Sequence, residues 1–587
     1  MNPSLRLAGL RLQDFRAVRD LYFPFAERTT VLIGMNNVGK TAILAALEIA
    51  LGSARPRTDD LRLSPEGPAE QFVVDVRVEP ATGNEFSQAV VDVVGAAIQF
   101  GSGGPDFFVL RCRGDKDPKN GDPTVRRTFL KGWEPERAKA LLLDDHPTAS
   151  VSPSVRALIS YDLLDARRDA VEQLRSKRTY WGKITSDLKI DPTTQQAIEG
   201  GLRALHGEVL NASTPLQQLQ TELADLGTVL GRQDVKVAIE TLPTDVSTLL
   251  RSMDLLLQEY GQDPLPLGVQ GMGTRSLSAL LIFRSYVRAV LAATQPSGAL
   301  SVSAFEEPEA HLHPQAQRAV LSLLRDIPGQ RLISTHSPFV VGSTELADVR
   351  LIRRVSDSPE VAWIDRTSVG VDAYAHIQRF VQRRNAELLF ARAVVLVEGH
   401  SEDALIPVLA QQRYGTSLEG KGVSIVPVEG AMNYKHFVVP LEHLRIPWLI
   451  LADGDAAGDN GLAGVSAAIG RTVSRNSLEV SPLPVGMALE DAMLADGLRP
   501  HIESAIASFF GATALGNYKT LNDGQSAGKG KPARDYTSAG WEERLVRDFL
   551  KTSKGLYGAP VATALAGAGV TPSFLESLFK KLDVLLS

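Results

Sequence analysis

The N-terminal part of the chain alternates apolar and polar positions with the period of a β-strand. Residues 5–12 and 21–25 follow this pattern, and the β-branched run 29–33 ends in a glycine-rich loop. Residues 42–51, directly after the loop, repeat apolar side chains at helical spacing. We therefore predict a strand, loop and helix unit at the start of the chain. Two further strands are predicted near residues 72–78 and 107–112.

The rest of the chain changes character twice. Residues 150–260 show helical periodicity, many charges and few strand signals, which predicts a helical insertion. Strand signals then return in short runs at 300–305, 331–334 and 349–352. A second α/β pattern starts at residue 393 and gives way to mostly helical sequence after residue 500. The whole pattern predicts an α/β protein with an inserted helical segment and a helical C-terminal region.

Length and composition limit the class of protein. The chain has 587 residues, and since a domain usually holds roughly 100–200 residues, two to four domains are expected. No uninterrupted apolar window is long enough to span a membrane, because Arg284 and Arg288 break the most apolar stretch, residues 277–293. Cys112 is the single cysteine, which excludes an internal disulfide and a cysteine-based zinc site. We expect a cytoplasmic protein with no membrane partner.

Residues 34–41, Gly-Met-Asn-Asn-Val-Gly-Lys-Thr, form a complete Walker A motif between the predicted strand and helix. Glycines let successive backbone N–H groups point at phosphate oxygens, and the helix that follows presents its positive N-terminus to the same anion. A chance glycine-rich turn is the alternative, but the strand and helix context favours a nucleotide site. The residues expected to hold ATP are Gly34, Asn36, Asn37, Gly39, Lys40 and Thr41, and the Thr41 hydroxyl is also a candidate Mg²⁺ ligand.

A pair of adjacent carboxylates follows the predicted strand at 300–305. Glu306 is a candidate Mg²⁺ ligand and Glu307 a candidate group for polarising the attacking water, although acidic surface turns are common. His336 ends the next strand and is a candidate contact for the γ-phosphate; a structural role is the alternative. The segment 271–276 opens a helix, so its free N–H groups are a weaker candidate for a phosphate site.

These four elements resemble the ABC-type ATPase heads of the RecF and SMC group. The resemblance implies that residues 271–276, with Gly273 and Ser276, form the signature segment that caps ATP from the opposite subunit. It also implies that His336 is the switch histidine and that at least a homodimer is needed to complete each ATP site. The sequence departs from the usual Leu-Ser-Gly-Gly-Gln form of that signature, and no Q-loop glutamine is assigned.

Acidic residues also end two apolar strands of the second α/β region. Glu398 follows the strand at 393–397, and Asp453 and Asp455 follow the strand at 448–452. The carboxyl ends of parallel strands meet at one edge of a sheet, where ligands bind. Carboxylates gathered there would repel one another unless a cation lay among them, and oxygen ligands favour Mg²⁺ or Mn²⁺. The alternative is that these acids only form loops.

The Glu-Gly and Asp-x-Asp pair resembles a Toprim domain, and an ABC head followed by Toprim resembles the OLD (overcoming lysogenization defect) family. The resemblance implies that Glu398, Asp453 and Asp455 are catalytic metal ligands, joined by Glu402 and Glu490. It also implies a Lys554 that stabilises the transition state, with Lys551 as the alternative. Mg²⁺ is the metal ion expected at this site, and Mn²⁺ and Ca²⁺ are the alternatives. Three nearby acids are alternatives for the ligand positions: Asp403, Asp459 and Asp491.

The resemblance covers most of the chain and points to class 2 OLD proteins such as the Gabija nuclease subunit. It implies a dimerisation role for the insertion and a UvrD-like helicase as a partner. A DNA-contacting helix is a second interpretation of the insertion, less favoured than a solvated or subunit-facing helix. Its basic residues lie beside Tyr180 and Trp181 and are Arg167, Arg168, Arg175, Lys177, Arg178 and Lys183. The predicted domains are an ATPase head at 1–165 and 256–388, the insertion at 166–255, a Toprim core at 389–500 and a helical nuclease region at 501–587.

Two functions of different class follow from these features. The first is an ATP-regulated, metal-dependent DNA endonuclease acting in anti-phage defence or DNA repair. The second is a repair or chromosome-associated ATPase whose Toprim domain binds DNA without cutting it. A topoisomerase would need a tyrosine nucleophile in a separate DNA-gate domain, and a primase is disfavoured by the single cysteine. Acids at every expected Toprim position favour the endonuclease.

Overall fold

The computed structural model divides into two compact units. The first comprises residues 1–32, 39–340 and 355–359, and the second comprises residues 33–38, 341–354 and 360–587. The structure describes residues 5–586 except 66, 102, 120, 141, 146–150, 167–179, 187–189, 225–245, 247–248, 250–254, 259–262, 356–357, 370–373, 376, 380–385 and 527–531.

Two sheets organise the first unit. Its strands are β1 Leu5–Phe15, β2 Val18–Pro24, β3 Thr29–Gly34, β4 Gln71–Pro80, β5 Phe108–Lys116, β6 Pro123–Phe129, β7 Ile159–Leu164, β8 Leu300–Glu306 and β9 Gln330–Ser334. Its main helices are α1 Lys40–Ala50, α2 Gln88–Val94, α3 Arg137–Ala140, α4 Pro153–Ala157, α5 Tyr180–Ser186, α6 Pro192–Ala212, α7 Thr214–Ala224, α8 Met272–Tyr286 and α9 Pro314–Arg325.

The antiparallel sheet of the first unit has the strand order β2-β1-β4-β5-β6. Leu5, Leu7, Leu10 and Leu12 of β1 are fully buried, so the N-terminal apolar positions form its packed face. The predicted strands near residues 5–12, 72–78 and 107–112 all lie within this sheet. The predicted strand at residues 21–25 corresponds to β2, so hydrophobic periodicity alone was sufficient to find four of the five strands.

The second sheet of this unit is parallel and carries the candidate nucleotide-binding residues. Neighbouring strands β7, β8, β9 and β3 pair in that order, all in parallel. Strand β7 was not predicted, because residues 150–260 were interpreted as helical. It pairs with β8 along its whole length, and the hydroxyl of Tyr161 donates a hydrogen bond to the Leu44 carbonyl oxygen at 2.9 Å. Short strands with polar residues, such as Ile-Ser-Tyr-Asp-Leu-Leu, give a weak periodic signal.

Helices α5, α6 and α7 lie in the predicted insertion, as expected. Tyr180 packs edge-on against Phe283 of α8, with ring centroids 4.7 Å apart. The Lys183 amine lies over the Tyr286 ring at 4.8 Å and 3.7 Å from the Asp162 carboxylate. These contacts hold both side chains against α8 and β7. The other basic residues of the candidate helix, Arg167, Arg168, Arg175, Lys177 and Arg178, lie outside the described residues, so a DNA contact there stays a prediction. Residues 225–245, also assigned to the insertion, lie outside the described residues.

One helix is long and apolar enough to cross a membrane by length and composition. It spans Met272–Thr294, which includes α8, and 39% of its most apolar window is buried. Phe283 packs against Phe305 of β8 at a centroid distance of 5.2 Å, and Arg288 donates to the Asp326 carbonyl oxygen. A helix that packs one face on a sheet and carries paired arginines is typical of the core of a water-soluble domain.

The second unit is built on a parallel sheet. Its strands are β10 Val349–Val355, β11 Ser358–Ala362, β12 Ala393–Val397, β13 Val423–Pro427, β14 Trp448–Ala452 and β15 Val480–Pro482. The last four form one parallel sheet in the order β13-β12-β14-β15. Every residue of β12 and β14 is buried, as expected for central strands covered on both faces.

Helices cover this sheet and form the C-terminal region. They are α10 His400–Tyr414, α11 Tyr434–His443, α12 Ala456–Ile469, α13 Leu489–Ala495, α14 Arg499–Phe510, α15 Ala514–Asn522, α16 Trp541–Thr552, α17 Gly558–Gly567 and α18 Ser573–Leu586. Residues from β12, α10, α17 and α18 share one hydrophobic core. The C-terminal helices therefore belong to the same packed unit as the sheet and its acidic residues.

Candidate active sites

The loop between β3 and α1 has the backbone conformation of a phosphate-binding loop. Gly34 has φ 148°, and a Cβ at this position would lie 2.3 Å from the carbonyl oxygen of Ile352, so only glycine fits. Asn37 adopts the left-handed conformation with φ 60°, and α1 begins at Lys40. The loop and the helix N-terminus together supply the N–H groups that the sequence predicted for phosphate binding.

Lys40 and Thr41 meet the acidic pair that follows β8. The Thr41 hydroxyl donates a hydrogen bond to Glu306. Burial lowers the pKa of Lys40 from 10.5 to about 8, while the nearby Glu307 and Glu306 carboxylates act in the opposite direction. A half-buried ammonium beside two carboxylates would gain a strong partner from the phosphates of a nucleotide. Thr41 and Glu306 are thus close enough to share one Mg²⁺ ion.

Glu307 and His336 form the second part of this site. Glu307 has φ 44°, a left-handed conformation that side chains rarely adopt, and its backbone N–H donates to the Ser334 carbonyl oxygen. The His336 Nε2 atom lies 3.7 Å from the Glu307 carboxylate. Burial, with Lys40 nearby, lowers the pKa of His336, which favours neutral imidazole. Strained backbone beside a carboxylate and an imidazole is typical of a catalytic site.

Glu309 is a residue of this site that the sequence analysis missed. One oxygen of its buried carboxylate accepts hydrogen bonds from the Thr335 hydroxyl at 2.6 Å and the His336 backbone N–H at 3.0 Å. Burial raises the pKa of Glu309. Glu309 therefore ties the acidic loop after β8 to the histidine loop after β9. Its position three residues after Glu306 was the available signal, but without the fold it looked like part of an acidic turn.

The segment 271–276 begins α8, with Gly271 as the capping residue. Gly271 and Met272 are exposed, so the first N–H groups of the helix face solvent. A Cβ at Gly273 would lie 2.9 Å from the carbonyl oxygen of His311, so this glycine allows close packing within the same chain. Ser276 is buried at 3% exposure. A contact from Gly273 or Ser276 to the nucleotide of a second subunit stays a prediction.

The acids that end β12 and β14 lie together in the second unit. The Asp453 backbone N–H donates to the Glu398 carboxylate at 3.2 Å. Burial, together with the nearby Glu398, Glu402, Asp455 and Glu490 carboxylates, raises the pKa of Asp453 from 3.8 to about 8. The Asp455 carboxylate accepts from the Gly458 N–H at 2.9 Å and so caps α12. Four acids thus surround Asp453 closely enough to disfavour its ionised form.

Glu402 and Glu490 are both buried, at 8% and 2% exposure. Burial raises the pKa of Glu402 to about 7, and Glu490 and Glu398 add to the rise. The Tyr557 hydroxyl donates to the Glu490 carboxylate at 2.9 Å. Tyr557 comes from the C-terminal helical region, and no motif in the sequence pointed to it. Its hydroxyl supplies the hydrogen bond that a buried carboxylate needs.

A tight loop holds Asp453 and Asp455 in place. The Gly454 N–H donates to the Met487 carbonyl oxygen and the Gly486 N–H donates to the Gly454 carbonyl oxygen, both at 2.7 Å. A Cβ at Gly454 would lie 1.8 Å from the Pro484 carbonyl oxygen. Only glycine allows this contact, which joins the end of β14 to the loop that leads into α13 and Glu490.

The basic residues near this cluster differ in their partners. Lys551 lies 3.3 Å from Asp491, which also pairs with Arg547 at 2.5 Å. Lys554 instead lies near enough to Glu398 and Glu402 to counter the rise in their pKa. The positions favour Lys554 over Lys551 as the cation that faces the cluster. Of the alternative acids, Asp491 is engaged by Lys551 and Asp459 pairs with Arg475 at 2.6 Å.

The donor set fits a divalent cation, since burial and neighbouring carboxylates raise the pKa of Glu398 and Asp453, and Lys554 lies close by. In the described residues, no three His, Cys, Asp or Glu side chains already converge as metal ligands. Asp403 is not among the groups that raise the pKa of Asp453. Glu398, Asp453 and Asp455 are the candidate first ligands.

Comparison with known proteins identifies the two halves of the chain. The family described as "Overcoming lysogenization defect protein-like, TOPRIM domain" matches residues 389–455. The family described as "AAA domain, putative AbiEii toxin, Type IV TA system" matches residues 29–342, which is more than half of the chain. The two matches confirm the predicted order of an ATPase head followed by a Toprim domain.

Three curated proteins resemble most of the chain. The OLD nuclease of Thermus scotoductus is 24% identical over 476 residues, covering 76% of this chain and 82% of that protein. The endonuclease GajA of Bacillus cereus is 23% identical over 475 residues, covering 79% and 78%. The Old nuclease of Escherichia phage P2 is 23% identical over 479 residues, covering 77% and 78%. The chain therefore belongs to the family defined by this AAA domain, carries an OLD-like TOPRIM domain after it, and is a homologue of the OLD nucleases.

Proposed function

We propose that the chain is an ATP-regulated, metal-dependent DNA endonuclease. The observation that carries this proposal is a group of five carboxylates, Asp453 and the four acids that surround it, with Lys554 beside them. Burial and neighbouring carboxylates raise the pKa of Glu398, Glu402 and Asp453. Such a cluster is costly unless a cation neutralises it, so it favours a metal-dependent function. The nuclease names of three homologous proteins support DNA cleavage as that function.

In this proposal the residues of the second unit hold the metal and the scissile phosphate. Glu398, Asp453 and Asp455 hold a divalent cation, and Glu402 and Glu490 complete the site for a second one. Bound Mg²⁺, Mn²⁺ or Ca²⁺ would supply positive charge at the phosphate; Mg²⁺ and Mn²⁺ are the ions expected to support cleavage. Water attacks phosphorus, the bond to one bridging oxygen breaks, and Lys554 stabilises the negative charge that develops on the phosphate oxygens.

The first unit is proposed to bind and hydrolyse ATP. Lys40 binds the outer phosphates, Thr41 and Glu306 hold Mg²⁺, and Glu307 orients the attacking water with His336 at the γ-phosphate. Gly273 and Ser276 of a second copy are proposed to close each site, so the working unit is at least a homodimer. Exposed apolar residues on α6 and α7 support an interface there: Leu205, Val209 and Leu219.

The biological setting is proposed from the homologues. The resemblance to the Gabija nuclease subunit supports a role in anti-phage defence, with DNA repair as the alternative. The resemblance to the Gabija nuclease subunit also predicts a UvrD-like helicase partner and a cytoplasmic location. Gel filtration of the chain with its candidate helicase would test that partnership, and separate elution would contradict it.

Cleavage of supercoiled plasmid tests the nuclease proposal. The wild-type chain is expected to produce nicked or linear DNA with Mg²⁺ or Mn²⁺ and none after chelation. Asp453→Asn removes one charge from the centre of the cluster and is expected to abolish cleavage. Asp459→Asn is the matched control, because Asp459 lies one helical turn from Asp455 but pairs with Arg475 at the surface. Full cleavage by Asp453→Asn would contradict the proposal.

A second candidate is a DNA-binding ATPase whose Toprim domain does not cut. The observation that favours it is that no three acidic or other ligating side chains in the described residues already converge as metal ligands. If the wild-type chain binds DNA and hydrolyses ATP but leaves plasmid intact with every metal tested, this candidate replaces the nuclease.

A further inference from the structure

A basic groove lies in the first unit, away in sequence from the nuclease residues. Its volume is about 850 Å³, and its wall includes the loop after α1, the β5–β6 hairpin and α4. Four arginines and two aspartates line it: Arg55, Arg57, Arg127, Arg156, Asp117 and Asp122. Arginines outnumber carboxylates here, although the whole chain carries a formal net charge of −6.

Internal hydrogen bonds fix the shape of this groove. Arg127 donates from Nε to the Ala50 carbonyl oxygen at 3.0 Å and from a terminal nitrogen to the Ile49 carbonyl oxygen at 2.5 Å, so it caps the end of α1. Asp122 accepts from both the backbone N–H and the hydroxyl of Thr58. These bonds tie the loop after α1 to the β5–β6 hairpin, so the walls of the groove are held in place.

The other three arginines of the groove form no ion pair within the described residues. Arg55, Arg57 and Arg156 are exposed, and within the described part of the chain no carboxylate pairs with them. A larger groove of about 920 Å³ in the second unit differs in this respect, because both of its arginines form ion pairs with carboxylates. There, Arg475 pairs with Asp459 and Arg471 pairs with Glu479. The groove of the first unit is therefore the better candidate for an external anion.

We propose that this groove binds the phosphodiester backbone of duplex DNA without regard to sequence. The inference rests on the proposed nuclease function, because the groove would be the surface through which this acidic chain binds its DNA substrate. A cluster of carboxylates at the cutting site repels a polyanion, so the favourable binding energy must come from another surface. Three solvent-facing guanidinium groups in a preformed groove suit bidentate contacts with phosphates, and phosphate contacts carry no sequence information.

Binding of labelled DNA duplexes tests this proposal directly. The full-length chain would be titrated onto two duplexes of unrelated sequence at several salt concentrations, with a chelator present to prevent cleavage. In the triple variant Arg55→Ala, Arg57→Ala and Arg156→Ala, affinity is expected to fall by at least about tenfold for both duplexes. The slope of log K against log salt is expected to drop by about 1 for each arginine removed. Arg127 stays, because its loss would uncap α1.

The matched control removes three charges elsewhere. Lys139→Ala, Arg203→Ala and Arg445→Ala change residues that are more than half exposed and paired with carboxylates. This control is expected to bind DNA like the wild type. A third variant, Asp117→Asn, removes a negative charge from the groove wall and keeps the oxygen that accepts from the Lys119 N–H, so it is expected to tighten binding.

Each outcome separates the groove from the nuclease proposal. Equal affinity and salt slope for the groove variant and the wild type would overturn the groove. Equal loss in the control variant would also overturn it, because net charge would then explain the effect. If the wild type binds duplexes through the groove but never cuts plasmid, the groove stands and the nuclease proposal fails. An unchanged thermal transition and ATP turnover in the groove variant would confirm that it is folded.

Discussion

At the scale of single residues, each of the two proposed sites contains a partly buried titratable side chain whose pKa is shifted by burial and by nearby charges. Burial lowers the pKa of Lys40 to about 8 and raises that of Asp453 to about 8. In each case a bound ligand of opposite charge would restore the ionised form. Phosphates would do so for Lys40 and a divalent cation for Asp453.

Asp453 gives a prediction about pH. Its pKa rises from 3.8 to about 8 on folding, so its contribution to stability is complete below 3.8 and is lost as pH rises through about 8. A bound cation offsets that loss. We expect the rise in melting temperature caused by Mg²⁺ to grow from about pH 5 to about pH 8, as measured by differential scanning fluorimetry. Asp453→Asn should flatten this trend, and an increment independent of pH would contradict the account.

Glu309 gives a second residue-scale prediction. Glu309→Ala removes the acceptor of two hydrogen bonds that position Thr335 and His336. ATP turnover is expected to fall by at least about tenfold, because misplacing a catalytic group by about 1 Å is costly. Nucleotide affinity should change little, since Glu309 does not touch the phosphate loop. Thr335→Val, which removes one of the two bonds, should show a smaller loss; equal turnover in all three proteins would refute this role.

Site residues could be predicted from the sequence only where they lie in a recognisable motif. Glu398, Asp453 and Asp455 end apolar strands, and strand ends are visible as patterns. Tyr557 and Glu309 were missed because their roles arise from contacts. Tyr557 is separated from Glu490 by 67 positions along the chain, and no spacing rule links them. The sequence could rank Lys551 and Lys554 equally, whereas the ion pair of Lys551 with Asp491 distinguishes them.

At the scale of elements, strands with a strong apolar pattern were predicted well, whereas a strand that carries polar residues was missed. Strands β1, β12 and β14 were found from their apolar patterns, while β7 was hidden in a charged, helical context. β7 is held by its pairing with β8 rather than by local preference. Short strands depend on tertiary partners in this way, so sequence alone cannot place them.

The loop after β14 carries a prediction at this scale. In Gly454→Ala, the added Cβ would clash with the Pro484 carbonyl oxygen, so the loop and the acids beside it must shift. Cleavage is expected to be lost and the melting temperature of the second unit to fall, while ATP turnover is kept. Gly464→Ala is the matched control: no atom lies within 4 Å of its Cβ, and alanine in a helix should stabilise by about 1 kcal/mol. Normal cleavage by Gly454→Ala would contradict the proposed loop function.

At the scale of the whole molecule, the chain combines an ATPase domain with an OLD-like TOPRIM domain, and a carboxylate cluster lies in the second unit. We expect ATP to promote association of two heads, because residues 271–276 of a second copy are proposed to close each site. Light scattering should show a larger dimer fraction with a non-hydrolysable ATP analogue. Lys40→Ala, which removes the cation that binds the outer phosphates, should abolish the change. A dimer fraction independent of nucleotide would refute ATP-driven association.

The most direct test of the central claim is a paired measurement of ATP turnover and plasmid cleavage in Lys40→Ala and Asp453→Asn. The account predicts that Lys40→Ala loses ATP turnover while retaining metal binding at the carboxylate cluster, so that its cleavage no longer responds to ATP. It predicts that Asp453→Asn loses cleavage while retaining ATP turnover. Cleavage by Asp453→Asn at the wild-type rate, with Lys40→Ala still hydrolysing ATP, would contradict both site assignments.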